Sequence, residues 1–331
     1  MAEAIAPAEL PTIFDASTCV RKGMCPVMAL QGQEKTAMQS HSIYFEQHGT
    51  GPEKVVFIMG LNTSSFGWIY QVKHFAQTHS VLVMDNRGVG NSDTPKGPYT
   101  TSALSEDILT LLEYVGWNNG RELHIVGISL GGMIAQELAL RIPERILSLT
   151  LVVTKAGSAG LVSNLTPWKG ISSLVWLTFT TDDSKKMDIV LPMLYPEEWL
   201  DAKSTLPNAK GRTNREVVRE GLAYRIKNTR KQTLAGSIAQ TAAARSHHVT
   251  SDRLHKLGQS IPKIWIVTGD VDHLVKPVNS EFLHQHMPQA EYQVWKGVGH
   301  GIIGQEPEKF NKNLERVIRE GREIGSKAPW V

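Results

Sequence analysis

"VGISLGG", residues 126 to 132, sets a serine between glycines at the end of an apolar run. The run "ELHIVGI" (122 to 128) reads as a strand, and "MIAQELALRIP" after the glycines reads as a helix stopping at Pro143. Ser129 therefore stands on a strand-to-helix turn. Gly127 and Gly131 keep side chains out of that turn, Gly132 lets the helix approach the strand, and the helix N-terminus favours negative charge. Serine alone is a weak nucleophile at neutral pH, so the stretch carries chemistry only with a base, an acid and an oxyanion site from elsewhere in the chain.

Outward from this turn, further strand-like runs recur: "SIYFEQHG" (42 to 49), "KVVFIMG" (54 to 60), "SVLVMD" (80 to 85), "ILSLTLVVT" (146 to 154), "PKIWIVTG" (262 to 269) and "EYQVWKGV" (291 to 298). Most are continuous and apolar, as buried parallel strands require. Residues 102 to 115 have helical spacing, with Leu104, Ile108, Leu111, Leu112 and Tyr114 largely on one face and Ser105, Glu106 and Asp107 on the other. The alternation predicts an α/β fold, a mostly parallel central sheet flanked by helices.

The alternation fails from residue 156 to 255, where helix formers and four prolines replace it, and the segment reads as a helical cap inserted in a core of residues 39–155 and 256–331. Within it, residues 213 to 232 place Val218, Leu222 and Ile226 on one helix face and basic residues on the others. Residues 1–38 read as a loop-like N-terminal extension.

With 331 residues, 41% hydrophobic, the chain can bury a large core. Its 35 basic and 32 acidic residues leave a net charge of +3, too near balance to indicate a nucleic-acid partner. Cys19 and Cys25 have the spacing of neither a disulfide framework nor a zinc site and read as free thiols. No apolar segment is long enough for an integral membrane span and the first residues lack a signal-peptide core, so the expected location is cytoplasmic. No metal cluster or dinucleotide fingerprint is visible, and no cofactor is expected.

The elbow Gly127-Ile128-Ser129-Leu130-Gly131, "MDNRGVGNSD" (84 to 93) and "MGLNTSSFGW" (59 to 68) occur in the order in which the chain resembles the α/β-hydrolase superfamily, over most of residues 42 to 320 outside the cap. The resemblance implies a nucleophile at Ser129 and an oxyanion hole from the N–H groups of Leu61 and Leu130. Many relatives carry His-Gly where this chain has Met59-Gly60. Asn62 is a candidate for a further side-chain donor to substrate, or for a turn-stabilising residue. The family pattern puts the acid three residues after Gly269, at Asp272, with Asp270 the alternative. His300 alone follows the last strand, and "GHGIIGQEPEKF" resembles the family's closing segment. His273, His247 and His248 read as exposed or capping groups.

The expected function is that of a serine hydrolase cleaving a lipophilic small-molecule ester or lactone, and acyl transfer, carbon–carbon bond hydrolysis or a non-catalytic receptor role remain alternatives. Trp168 and Trp176 in the cap are candidates for an apolar substrate pocket or for the cap's own core.

Overall fold

The computed structural model describes residues 10–27, 40–158, 182–206 and 209–327. One sheet contains β1 (Cys19–Val27), β2 (His41–His48), β3 (Lys54–Ile58), β4 (Ser80–Met84), β5 (Leu123–Ile128), β6 (Ile146–Val152), β7 (Lys263–Gly269) and β8 (Glu291–Trp295). The order is β1-β2-β4-β3-β5-β6-β7-β8. Every pair from β4 to β8 is parallel, while β2 runs antiparallel to β4 and β1 antiparallel to β2. This is the mostly parallel sheet that the alternation predicts.

The described helices are α1 (Ile69–Phe75), α2 (Thr101–Tyr114), α3 (Leu130–Arg141), α4 (Asp183–Leu194), α5 (Glu197–Asp201), α6 (Asn214–Asn228), α7 (Leu234–Ser246), α8 (Ser251–Ser260), α9 (Val278–His286), α10 (Ile302–Gln305) and α11 (Pro307–Lys327). The pleat sorts the core into two layers. On β3, Val56 and Ile58 join α2, α3, α8 and α9 through Leu104, Ile134, Leu254 and Leu283. Val55 and Phe57 point the other way, to Val72 and Phe75 of α1 and Leu314 and Val317 of α11. β5 and β6 are buried at every residue, which is why their sequences are mainly apolar, with His124, Ser148 and Thr150 as the polar exceptions.

The loop expected before residue 38 is corrected at Cys19–Val27, which forms the edge strand β1. Its sequence, CVRKGMCPV, hides the strand because an edge tolerates what an inner strand excludes, charges and a proline without a donor. Only Gly23, Cys25 and Val27 alternate inward.

Between β6 and β7 lie α4 to α8. Leu191, Tyr195 and Leu200 pack with Val218 and Leu222, so α6 turns the expected apolar face to α4 and α5. Thr213 and Glu216 close a capping box at its start. The basic residues are partly engaged: Arg215 pairs with Glu197 and Asp201, and Arg219 with Asp188. The expected core boundary at residue 255 falls inside α8, whose Leu254 and Leu257 belong to the sheet layer. No helix among the described residues is long and apolar enough to cross a membrane.

Candidate active site

Ser129 links β5 to α3 with φ 55° and ψ −119°, a conformation that costs a non-glycine residue about 1–3 kcal/mol. Its surroundings hold it there. The Ser129 N–H donates to the Val152 carbonyl at 2.9 Å, and the Thr154 hydroxyl donates to the Ser129 carbonyl at 2.7 Å. A Cβ on Gly127 would lie 2.3 Å from the Gly131 carbonyl oxygen, and one on Gly131 2.1 Å from that of Ile58. The turn closes against β3 only with glycine at both positions.

The loop after β3 passes directly beside the serine. A Cβ on Gly60 would stand 3.2 Å from Ser129 Cβ and 3.8 Å from its Oγ. Neither Leu61 N–H nor Leu130 N–H has a hydrogen-bond acceptor among the described residues, and Leu130 opens α3 with the positive end of its dipole.

Asn62 follows with φ 55°, and its amide is committed to the inserted segment: Nδ2 donates to Ser237 Oγ at 2.9 Å and Oδ1 accepts from Gln232 at 3.0 Å. Its hydrogen bonds fit the turn-stabilising role. Its own N–H donates to Gln240 Oε1 at 2.9 Å, and Gln240 Nε2 donates to the Arg87 carbonyl at 2.9 Å. Arg230 also donates to the carbonyls of Gly90 and Ser92. Segment 230–240 thus ties the loop after β3 to the turn after β4.

That turn is built on Asp85, which accepts from the N–H of Ser65 at 2.7 Å and of Asn91 at 2.8 Å. Burial pushes its carboxyl up, against these two donors. Asn86 donates to the Met59 carbonyl at 3.0 Å, fixing the loop from below. Asp85, Asn86 and Gln240 escaped the sequence reading, although "MDNRGVGNSD" was the signal for the first two.

On the far side, Asp272 and His300 meet: His300 Nδ1 lies 2.7 Å from Asp272 Oδ2, with the Asp272 side chain fully buried. Asp272 Oδ1 accepts from the N–H of Leu274 at 2.7 Å and of Val275 at 2.9 Å. An ionised carboxylate only accepts, so His300 Nδ1 carries the hydrogen, and in the neutral ring Nε2 keeps its lone pair. Ser129 Oγ and His300 Nε2 share no hydrogen bond, and such contacts commonly tighten only with substrate. Asp270 is separate and exposed; it accepts the Gly297 N–H at 2.7 Å.

Tyr195, after α4, covers the histidine loop. The Gly301 N–H donates to the Leu194 carbonyl at 2.8 Å, and a Cβ on Gly301 would lie 2.4 Å from the Tyr195 ring. His273 is half-buried and His248 exposed. His247 caps α7 but is buried beside Thr101, 2.9 Å from its hydroxyl, rather than exposed. Burial first, then Lys155, pushes its ring down to about 3. Trp168 and Trp176 lie outside the described residues.

A family model for the alpha/beta hydrolase fold matches residues 54–307, and the chain belongs to that family. Its relatives' names support hydrolase activity. "Putative carbamate hydrolase RutD" of Caulobacter segnis is 24% identical over 83% of this chain and 96% of its own length. A 110-residue stretch is 33% identical to the protein of the same name in Azorhizobium caulinodans, covering 33% of this chain and 40% of that relative. The 3-oxoadipate enol-lactonase 2 of Acinetobacter baylyi is 24% identical over 80% of this chain and 88% of its own. A thermophilic esterase from Thermogutta terrifontis superposes with TM-score 0.70 at 20% identity, over 91% of this chain and 99% of that one.

Proposed function

We propose that the chain is a serine hydrolase that cleaves a carboxylic ester or lactone of a lipophilic small molecule through an acyl-enzyme on Ser129. The observation that carries this reading is the 2.7 Å contact between Asp272 and His300, which leaves Nε2 as a base on a ring whose tautomer is fixed. In the first half-reaction Nε2 takes the Oγ proton as Oγ attacks the carbonyl carbon, and the oxyanion accepts from Leu61 and Leu130 N–H. Collapse breaks the acyl–oxygen bond, and His300 returns the proton to the leaving alkoxide. Water then attacks the acyl group, giving its proton to His300, and Ser129 leaves with that proton as the acid is released.

Segment 156–255 caps the site in this reading and sets which acyl and alcohol groups enter, with Trp168 and Trp176 as pocket candidates. The relatives' names, "Putative carbamate hydrolase RutD" and "3-oxoadipate enol-lactonase 2", point to carbamate and lactone substrates, whose carbonyl groups the same steps would serve. Fluorophosphonate labelling, followed by a panel of esters and lactones graded by chain length, tests it. Rapid labelling should vanish in Ser129→Ala, whose turnover should fall on the order of a million-fold with the fold intact. Near-parental turnover in that variant, purified free of host esterases, would rule the mechanism out.

A further inference from the structure

The pairing of β1 with β2 gives Cys19 neighbours that its sequence position does not reveal. Cys19 stands opposite His48 in the antiparallel ladder, and a bulge between Cys19 and Arg21 re-aims the strand there. Glu46, two residues before His48, projects to the same face. The Cys19 sulfur, a Glu46 carboxylate oxygen and a His48 ring nitrogen all lie within 4.8 Å of one another. Glu46 and His48 are fully buried and Cys19 is half-buried.

The hydrogen bonds around the group leave these atoms beside one another. Thr18 Oγ1 lies 2.9 Å from both the Asp15 carbonyl oxygen and His48 Nδ1. His48 Nε2 lies 3.3 Å from Glu46 Oε2. Tyr44 donates to Glu46 Oε1 at 2.9 Å and Thr12 to Oε2 at 2.8 Å.

The separation fits a cation. A tetrahedral ion with ligands at about 2.0 Å spans nitrogen-to-oxygen edges of about 3.3 Å. The sulfur beside the pair is a ligand that suits a transition metal. Thr18 at Nδ1 is the kind of outer contact that orients a ligating imidazole. A surface cavity of about 390 Å³, lined by Thr18, Cys19, Gly49, Thr50 and Thr78 among others, opens against the Cys19 side of the group.

We propose that Cys19, Glu46 and His48 bind one divalent cation of the zinc class, with a water from the cavity as fourth ligand. On binding, the Cys19 thiol releases its proton to solvent and the thiolate donates to the metal. His48 pairs with Val81 at the start of β4, so the site lies at the end of the sheet opposite Ser129 and joins the edge strand to the core. The cation holds structure rather than reacting with substrate.

The full chain, carrying no added histidine tag, is stripped with chelator and titrated with zinc and with cobalt(II). One equivalent should bind with a thiolate-to-cobalt charge-transfer band, and zinc should raise Tm while turnover at Ser129 stays unchanged. Cys19→Ser should abolish the band and weaken zinc at least tenfold; Glu46→Gln, which keeps the shape, should weaken it similarly; Cys25→Ala should retain both. The proposal is overturned if no band forms, if the band survives Cys19→Ser, or if zinc uptake is the same in all three variants and therefore adventitious.

Discussion

Replacing Asp272 by Asn tests the base without emptying its surroundings. Asp272 Oδ1 accepts two backbone N–H groups, from Leu274 at 2.7 Å and Val275 at 2.9 Å. An amide keeps those bonds only with its oxygen in that place, since turned over its NH2 would face two donors. Nδ2 then points at His300 Nδ1 across the present 2.7 Å, and two donors cannot meet there. The ring must accept at Nδ1 and carry its hydrogen on Nε2, where it can no longer take the Ser129 proton. The same change in a serine protease triad lowers turnover ~10⁴-fold, about 5.4 kcal/mol of barrier, and the same loss is expected here. The assay is kcat/KM on an activated ester, with fluorophosphonate labelling and Tm in parallel. Tm should move little, because the two backbone bonds persist. Asp270→Asn, on its exposed turn, should cost less than about tenfold. A loss under tenfold at Asp272 with Tm unchanged, or a larger loss at Asp270, refutes the reasoning.

Gln240→Leu removes the buried amide that holds the Asn62 N–H and the Arg87 carbonyl. With the neighbouring Leu61 N–H, the proposed oxyanion donor, displaced, kcat should fall by up to about a hundredfold while KM changes little; unchanged kcat with lowered Tm would show that the loop does not depend on it. Glu53 concerns acid stability. Burial, its largest single influence, pushes the carboxyl up, but hydrogen bonds from His124 and Arg322 outweigh it and hold it down at about 2. A depressed folded value stabilises above the unfolded value of about 4.3 and is lost as pH falls toward the folded one. Glu53→Gln should therefore lower Tm at neutral pH and flatten the Tm profile between about pH 4.3 and 2, and a profile parallel to the parent's would contradict this.

Much of the sheet was legible because buried parallel strands leave mainly apolar runs, and β3 to β7 are such runs. The elbow was legible because its glycines are demanded by contacts of 2.1 to 2.3 Å that no other residue survives. His300 was legible by position, as the one histidine after the last strand. What escaped depends on partners distant in sequence. β1 has edge-strand composition, and its identity rests on β2. The Asn62 amide reaches Ser237, 175 residues on, and His247 is buried through Thr101, 146 residues before it. Cys19 and His48 meet only through strand register. None of these leaves a local period to read.

On the proposed mechanism, the backbone strain at Ser129 sets activity against stability. At φ 55° and ψ −119° a glycine would sit more easily than any residue with a side chain, by about the 1–3 kcal/mol that such conformations cost. The simplest inactivating change, Ser129→Gly, would thus offset its lost contacts with relief of strain, and the dead protein could melt later than the active one. A descendant that kept only binding would gain by discarding the hydroxyl. Random drift for thermal tolerance alone would find this position early, so a stability screen on this chain needs turnover as a second filter to keep the proposed nucleophile.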